Sequence, residues 1–337
     1  MSGDKQIRTG PTKKLSDYKH VQMSLPFIFE EPQPEYSRTI ELYDAIPKYY
    51  WGRISTKDRK AGQFLDSINR EFVFKGENYK VKISPARIET TKGHEMDYYP
   101  GEKEELVEDA LRKMACDGQG IFLDDHAGVI FTLYELQQEL KKMGHNYNIR
   151  QIKEALFICQ GSRITLKTGD ERSVLSSQIF ETVGLNTKED WKGKGKKTKC
   201  FVRFNALVTK SIREKTFRQL NYKECMSYNR VLARWFHKRI NHVYIQAGYN
   251  TPYTIRLSTI IRDSGVKKEE RLRNNLTRVR EALDEMKEKG VIHNYIEERI
   301  IESRKIIDVK FIINPSMNFI LDMKKSNVFF KAANKIK

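Results

Sequence analysis

Apolar residues recur every three or four positions across residues 106–114, 133–143, 149–159 and 268–289. They alternate with polar ones around residues 72–83. The first spacing lays one stripe along a helix, and the second sends every other side chain to one face of a strand. In residues 36–100 the alternation predicts a hairpin, with Phe72 and Phe74, a Gly76-Glu77-Asn78 turn, then Tyr79, Val81 and Ile83. The nearby aromatic run Tyr43, Tyr49, Tyr50 and Trp51 is read as core, although aromatics beside Lys48 and Arg53 are also the chemistry of base stacking.

From residue 100 the pattern turns helical. Leu106, Val107, Ala110, Leu111 and Met114 share one stripe. Thr132 with Glu135 has capping-box spacing ahead of Leu133, Leu136, Leu140 and Met143, and Gly144 stops that helix. Asn148 opens the next, which turns Ile149, Ile152, Ala155, Leu156 and Cys159 inward. Strand-like runs over 163–167 and 174–183 follow, predicting a two-stranded wing. Helix, turn, helix and wing is the winged-helix order.

The second half repeats the architecture without repeating the sequence. A helix is expected over 226–247, a strand over 254–256 and a short helix ending at Ser264-Gly265. A long helix is expected over 268–289, then strands over 291–296 and 306–313 around a charged tip at 297–304. Pro315 is expected to open a last short helix. The expected fold class is α+β, mainly helical: two tandem winged-helix domains with an N-terminal β-containing extension. The expected segments are an arm (1–35), the extension (36–100), domain 1 (101–185), a basic loop (186–199), a linker helix with domain 2 (200–325) and a basic tail (326–337).

Charge then points to a partner. The 337 residues hold 62 Lys and Arg against 44 Asp and Glu, a net charge of +18. Such a surplus favours a polyanion, because each phosphate neutralised releases condensed counterions. In the long helix, Leu272, Leu276, Val279, Leu283 and Met286 form the inward stripe. Its N-terminal half carries Lys267, Lys268, Arg271, Arg273, Asn274, Asn275, Thr277 and Arg278, the residue types that pair with phosphates and base edges. Its C-terminal half carries Glu281, Asp284, Glu285 and Glu288, which phosphates repel. A weaker candidate surface comes from Asn148, Arg150, Gln151 and Lys153, and Lys192, Lys194, Lys196 and Lys197 suit non-specific phosphate contact.

Catalytic signatures are scarce. The chain has no phosphate-binding GxxxxGK[ST] loop, no HExxH and no GxSxG. His237 and His242 lie five apart, about 140° around a helix, and make no clean metal pair. Asp124-Asp125-His126 is the nearest approach to a metal cluster, and a charged loop is the favoured reading of it. The expectation is a non-enzymatic protein without cofactor or metal. Four scattered cysteines fit a reducing cytoplasm, and no apolar run has the ~18–20 residues of a membrane helix. The basic start of the chain lacks the apolar run of a secretory signal.

Four segments carry a resemblance: DYYPGEKEELVEDALRKMA (97–115), GVIFTLYELQQELKKMGHNYN (128–148), ARWFHKRINHVY (233–244) and TIRLSTIIRDSG (254–265). Together they resemble bacterial plasmid replication initiators of the RepA/TrfA-like group, over about residues 36–325. The resemblance implies tandem winged-helix domains that bind repeated sites (iterons) in double-stranded plasmid-origin DNA and help to melt an adjacent A·T-rich region. It further implies recruitment of the host initiator DnaA and the replicative helicase DnaB, and a monomer–homodimer equilibrium. A transcriptional repressor of the same fold and a DNA-nicking enzyme are the alternatives.

Overall fold

The computed structural model describes residues 20–21, 33–52, 55–58, 62–89, 93–185 and 199–335. Two compact units emerge, each discontinuous in sequence. Unit 1 takes Lys48–Asn69 and Lys80–Glu214, and unit 2 takes Pro34–Pro47, Arg70–Tyr79 and Lys215–Lys337. The expected segmentation follows the chain more simply: part of the 36–100 extension groups with unit 2, and residues 200–214 group with unit 1.

Unit 1 is built around α2 (Glu102–Met114), with strands and helices numbered along the chain. The expected stripe Leu106, Val107, Ala110, Leu111 and Met114 is buried, but so are Glu104, Glu105, Glu108, Asp109, Arg112 and Lys113. Those charges are matched locally: Arg112 donates to Asp109 at 2.7 Å, and Lys48 lies 3.8 Å from Glu108, which also accepts from the Tyr49 hydroxyl. Tyr49 is buried here and Tyr43 is buried in unit 2, so these members of the aromatic run are core.

One antiparallel sheet of unit 1 runs β1 (His20–Val21), β8 (Gly120–Leu123), β9 (His126–Phe131), β13 (Cys200–Phe204), β12 (Phe180–Gly184). A second, small sheet joins β3 (Thr56–Asp58), β7 (Glu95–Tyr98) and β6 (Ala86–Glu89). The helices α3 (Leu133–Lys142) and α4 (Ile149–Gly161) start where expected, each under a reciprocal capping box from Thr132/Glu135 and Asn148/Gln151. α5 (Ala206–Glu214) ends the unit.

The two-stranded wing expected over 163–183 is corrected. β10 (Arg163–Thr168) and β11 (Val174–Gln178) continue into a four-stranded sheet with β5 (Glu77–Ser84) and β4 (Ile68–Phe74), in the order β11-β10-β5-β4. The run 174–183 breaks at buried Ile179, and β12 pairs with β13 in the other sheet. Sequence alternation shows a face but not a partner. With seventeen strands in five sheets beside ten α-helices among the described residues, the chain is mixed α/β.

Unit 2 pairs β2 (Tyr36–Ile40) with β14 (Phe217–Asn221), flanked by α1 (Glu41–Ala45) and α6 (Tyr222–Met226). Then come α7 (Val231–Val243), β15 (Tyr253–Arg256), α8 (Leu257–Ser264), α9 (Leu272–Glu288), the hairpin β16 (Ile292–Glu302)–β17 (Lys305–Pro315) and α10 (Met317–Lys335). The strands lie in the order β15-β17-β16. The helix expected over 226–247 is shorter at both ends, spanning Val231–Val243, with residues 227–230 as the link from α6. There Glu285 of α9 accepts the Asn229 and Arg230 backbone N–H groups at 2.7 and 3.1 Å. A carboxylate thus sits on the two backbone N–H groups just ahead of α7, near the positive end of its dipole. Glu285→Ala is expected to lower the stability of unit 2 by about 1–3 kcal/mol, measured by urea denaturation, with Glu285→Gln losing less.

Three further corrections concern this unit. α9 begins four residues later than expected. The charged tip at 297–304 is mostly strand, because Glu297 pairs with Arg280 at 2.7 Å and Glu298 with Lys310 at 3.0 Å. Only Ser303 and Arg304 form the turn, both at positive φ. Pro315 closes β17 instead of opening a short helix, and α10 runs for 19 residues through most of the expected tail.

Candidate nucleic-acid interface

The candidate surface is built at the α8–α9 corner. α8 starts under Asp308 of β17, whose carboxylate accepts from Ser258 N at 3.1 Å and Ser258 Oγ at 2.5 Å. It ends at Gly265, which is left-handed at φ 72°. A Cβ there would lie 2.8 Å from Arg70 Nη1 and 2.9 Å from Pro47 Cβ, so conformation and space both require glycine. Behind the corner, Asp263 is buried and pairs with Arg239 at 2.9 Å and Arg262 at 2.7 Å, and it accepts Val73 N–H at 3.1 Å.

Residues 265–271 then form a shaped loop instead of the first turn of α9. Val266 is buried under it. The Asn275 amide closes it, accepting Glu269 N–H at 3.0 Å and donating to Glu269 O at 2.8 Å. Arg278 reaches back to Lys267 O at 2.8 Å and to the Glu269 carboxylate at 3.4 Å. Asn275 is buried, so it leaves the candidate contact set. Arg278 is half-buried and holds the loop. No sequence signal separated these two from their neighbours, because their partners are backbone groups of a non-helical loop.

The remaining candidates stay outward. Lys267, Lys268, Arg271, Arg273, Asn274 and Thr277 are all exposed. α9 has no side-chain cap at Arg271 and no acidic residue in its first turn. Its leading backbone N–H groups, carrying the positive end of the helix dipole, therefore join the exposed cations. This arrangement attracts anions, and a phosphate at such a terminus is a well-understood partner. Farther along, the acidic residues have internal duties: Glu281 pairs with Arg230 at 2.7 Å and Asp284 accepts from the Tyr295 hydroxyl at 3.0 Å. These contacts tie the acidic half of α9 into the unit.

In unit 1, Arg150 is exposed, while Lys153 is half-buried. Asn148 and Gln151 are exposed but exchange their own capping hydrogen bonds, both at 2.9 Å. Glu154 is held by Lys103 at 2.6 Å. Lys192, Lys194, Lys196 and Lys197 lie outside the described residues.

The two helical histidines are interior. His237 Nδ1 lies 3.1 Å from the Tyr228 hydroxyl and His242 Nε2 lies 2.8 Å from Thr39 Oγ1. In the loop reading of 124–126, His126 pairs with Glu181 at 2.7 Å and Arg213 with Asp125 at 3.6 Å. No group of three or more potential metal ligands occurs among the described residues. None of their helices is long and apolar enough to cross a membrane.

No family model matches the chain, and neither does any curated relative. Among solved structures it is similar to a selenomethionine derivative of domains 2 and 3 of RctB, with TM-score 0.49, 9% identity and coverage of 82% of this chain and 96% of that one. A second structure of RctB domains 2–3 gives TM-score 0.48 and 8% identity, over 83% and 99% of the two chains. The Pi initiator protein in complex with iteron DNA gives TM-score 0.41 and 13% identity, over 70% and 98%.

Proposed function

We propose that this chain is a non-enzymatic plasmid replication initiator that binds repeated sites in double-stranded origin DNA. The observation that carries DNA binding is the start of α9, where Lys267, Lys268, Arg271 and Arg273 stand exposed around uncapped helix amides. Asn274 and Thr277 beside them add neutral hydrogen-bonding groups able to read base edges. The order α7, α8, α9, β16, β17 is read as a winged helix with α9 as the recognition helix, docking by its N-terminal half in the major groove. In unit 1 the order α2, α3, α4, β10, β11 is read as a second such module, its wing extended into a larger sheet, with Arg150 contributing phosphate contact.

The initiator role rests on the four sequence segments that resemble the RepA/TrfA-like group. The same resemblance supports origin opening, DnaA and DnaB as partners, a monomer–homodimer equilibrium and a place in the bacterial cytoplasm.

DNase footprinting on the DNA flanking its own gene tests this reading. The expected result is protection of direct repeats spaced by about one or two helical turns. Protection of a single inverted repeat over a promoter would replace the initiator by a repressor, and the absence of a specific footprint would remove both.

A further inference from the structure

A groove of 430 Å³ opens on unit 1 where the end of α2 meets α3. Hollows of this size hold small ligands and single side chains. α2 leaves its helical path over Ala115–Gln119, where Gly118 takes φ 99°, and the turn brings Gln119 into the groove wall. Wide turns of this π type recur at functional sites.

The wall points to one ligand chemistry. Gln119 Oε1 is buried and has no hydrogen-bond partner among the described residues, so the groove lacks a donor. Tyr134 stands at the rim with 64% of its surface exposed. Glu139 is half-buried and its carboxylate has no partner among the described residues. The other two carboxylates are engaged: Asp117 with Lys113, and Glu135 with the Thr132 amide. Lys142 is the only cation in the lining. On a chain of net charge +18, three carboxylates against one ammonium make an acidic hollow, which repels phosphate.

A guanidinium supplies what is missing. Its planar fork can donate to an amide oxygen and a carboxylate together, and its face can lie on a tyrosine ring. Its apolar stem suits Met114, which is buried in the groove floor. An ammonium has the charge without the plane. A free amino acid would set its own carboxylate against Glu135 and Glu139, whereas an arginine inside a chain brings only neutral amides.

We propose that this groove is a docking site for an arginine side chain presented by a peptide segment of a partner protein. The site lies in unit 1 and does not rest on the DNA-binding reading.

Methyl-labelled methionine spectra of the full chain without DNA test it. Among the nine methionines, Met114 lies in the groove and Met317, 59% exposed, reports non-specific contact from unit 2. The probe is acetyl-Ala-Arg-Ala-amide. It is expected to shift Met114 and not Met317, with a dissociation constant of about 1 mM. The same peptide with citrulline, neutral and similar in shape, is expected to shift neither. Glu139→Gln is expected to weaken the probe about tenfold, the order of one charge-assisted hydrogen bond, and Tyr134→Ala about threefold. Both variants should keep the other methyl signals in place. A Met114 signal that the probe leaves unmoved overturns the proposal. So does an equal shift with the citrulline peptide, or full affinity in Glu139→Gln. Tighter binding of free arginine than of the blocked peptide would overturn the peptide partner in favour of a small metabolite.

Discussion

Alanine at both Arg271 and Arg273 is expected to weaken binding to the repeated site by about 10²–10⁴-fold, since removing each guanidinium from DNA costs about 1–3 kcal/mol. The urea midpoint of unit 2 should stay where it is. Both side chains are exposed at the start of α9. Fluorescence anisotropy on specific and random duplexes at two salt concentrations separates their roles. Replacing an arginine that sits on phosphate weakens binding to every sequence and lowers the salt slope by about one, whereas replacing one that sits on guanine relaxes one base position. Arg278→Ala and Asn275→Ala should behave differently. Their partners are Lys267 O, Glu269 and the loop backbone, so removing them loosens the loop that carries Lys267 and Lys268. Stability and affinity should fall together in those two variants. Unchanged specific binding by the Arg271→Ala/Arg273→Ala protein would move the interface away from α9.

The difference between these pairs of residues shows what was legible in the sequence. Helix existence was legible wherever capping chemistry is local. Thr132 with Glu135, Asn148, and Ser264-Gly265 each mark a boundary that the structure has. The buried stripe of α9 was legible too, since Val279, Leu283 and Met286 are fully inside. Features that depend on a distant partner were not. Asn275 looks like its exposed neighbour Asn274 until the loop at 269–271 supplies its hydrogen bonds. The break before α7 depends on Glu285, 55 residues away along the chain. β16 runs through Glu297 and Glu298 because Arg280 and Lys310 neutralise them across the fold. The grouping of Pro34–Pro47 and Arg70–Tyr79 with the C-terminal half has no local signature at all. Periodicity reports which face of an element is buried, not what buries it.

That limit applies equally to the histidines, where burial sets the pH behaviour. Desolvation pushes His237 down to about 3, with Lys238 adding to the effect, and His242 down to about 4, against the opposing pull of Asp44 and Glu41. Both folded values lie below the ordinary 6.5. The stability they permit is therefore fully present above pH 6.5 and is lost as the unfolded chain takes up protons at lower pH. At pH 5 each histidine costs about 2 kcal/mol, since one pH unit corresponds to about 1.4 kcal/mol. Glu224 acts in the opposite sense. Burial, and then the charge of Asp322, raise it to about 7, so its contribution is complete below 4.5 and is lost as pH rises towards 7. In the unsubstituted protein it offsets about half of the histidine effect between pH 7 and pH 5. Glu224→Gln removes that offset. In this variant unit 2 is expected to lose about 4 kcal/mol between pH 7 and pH 5, read by urea denaturation through the emission of Trp235, which lies in α7 between Arg230 and His237. Glu41 and Glu297, both held below the usual carboxylate value by their cationic partners, change their contribution only at lower pH. A stability that does not change over this interval, or ring resonances of His237 and His242 that titrate near 6.5 in the folded protein, would show that the two imidazoles are hydrated and that α7 is packed less tightly than described.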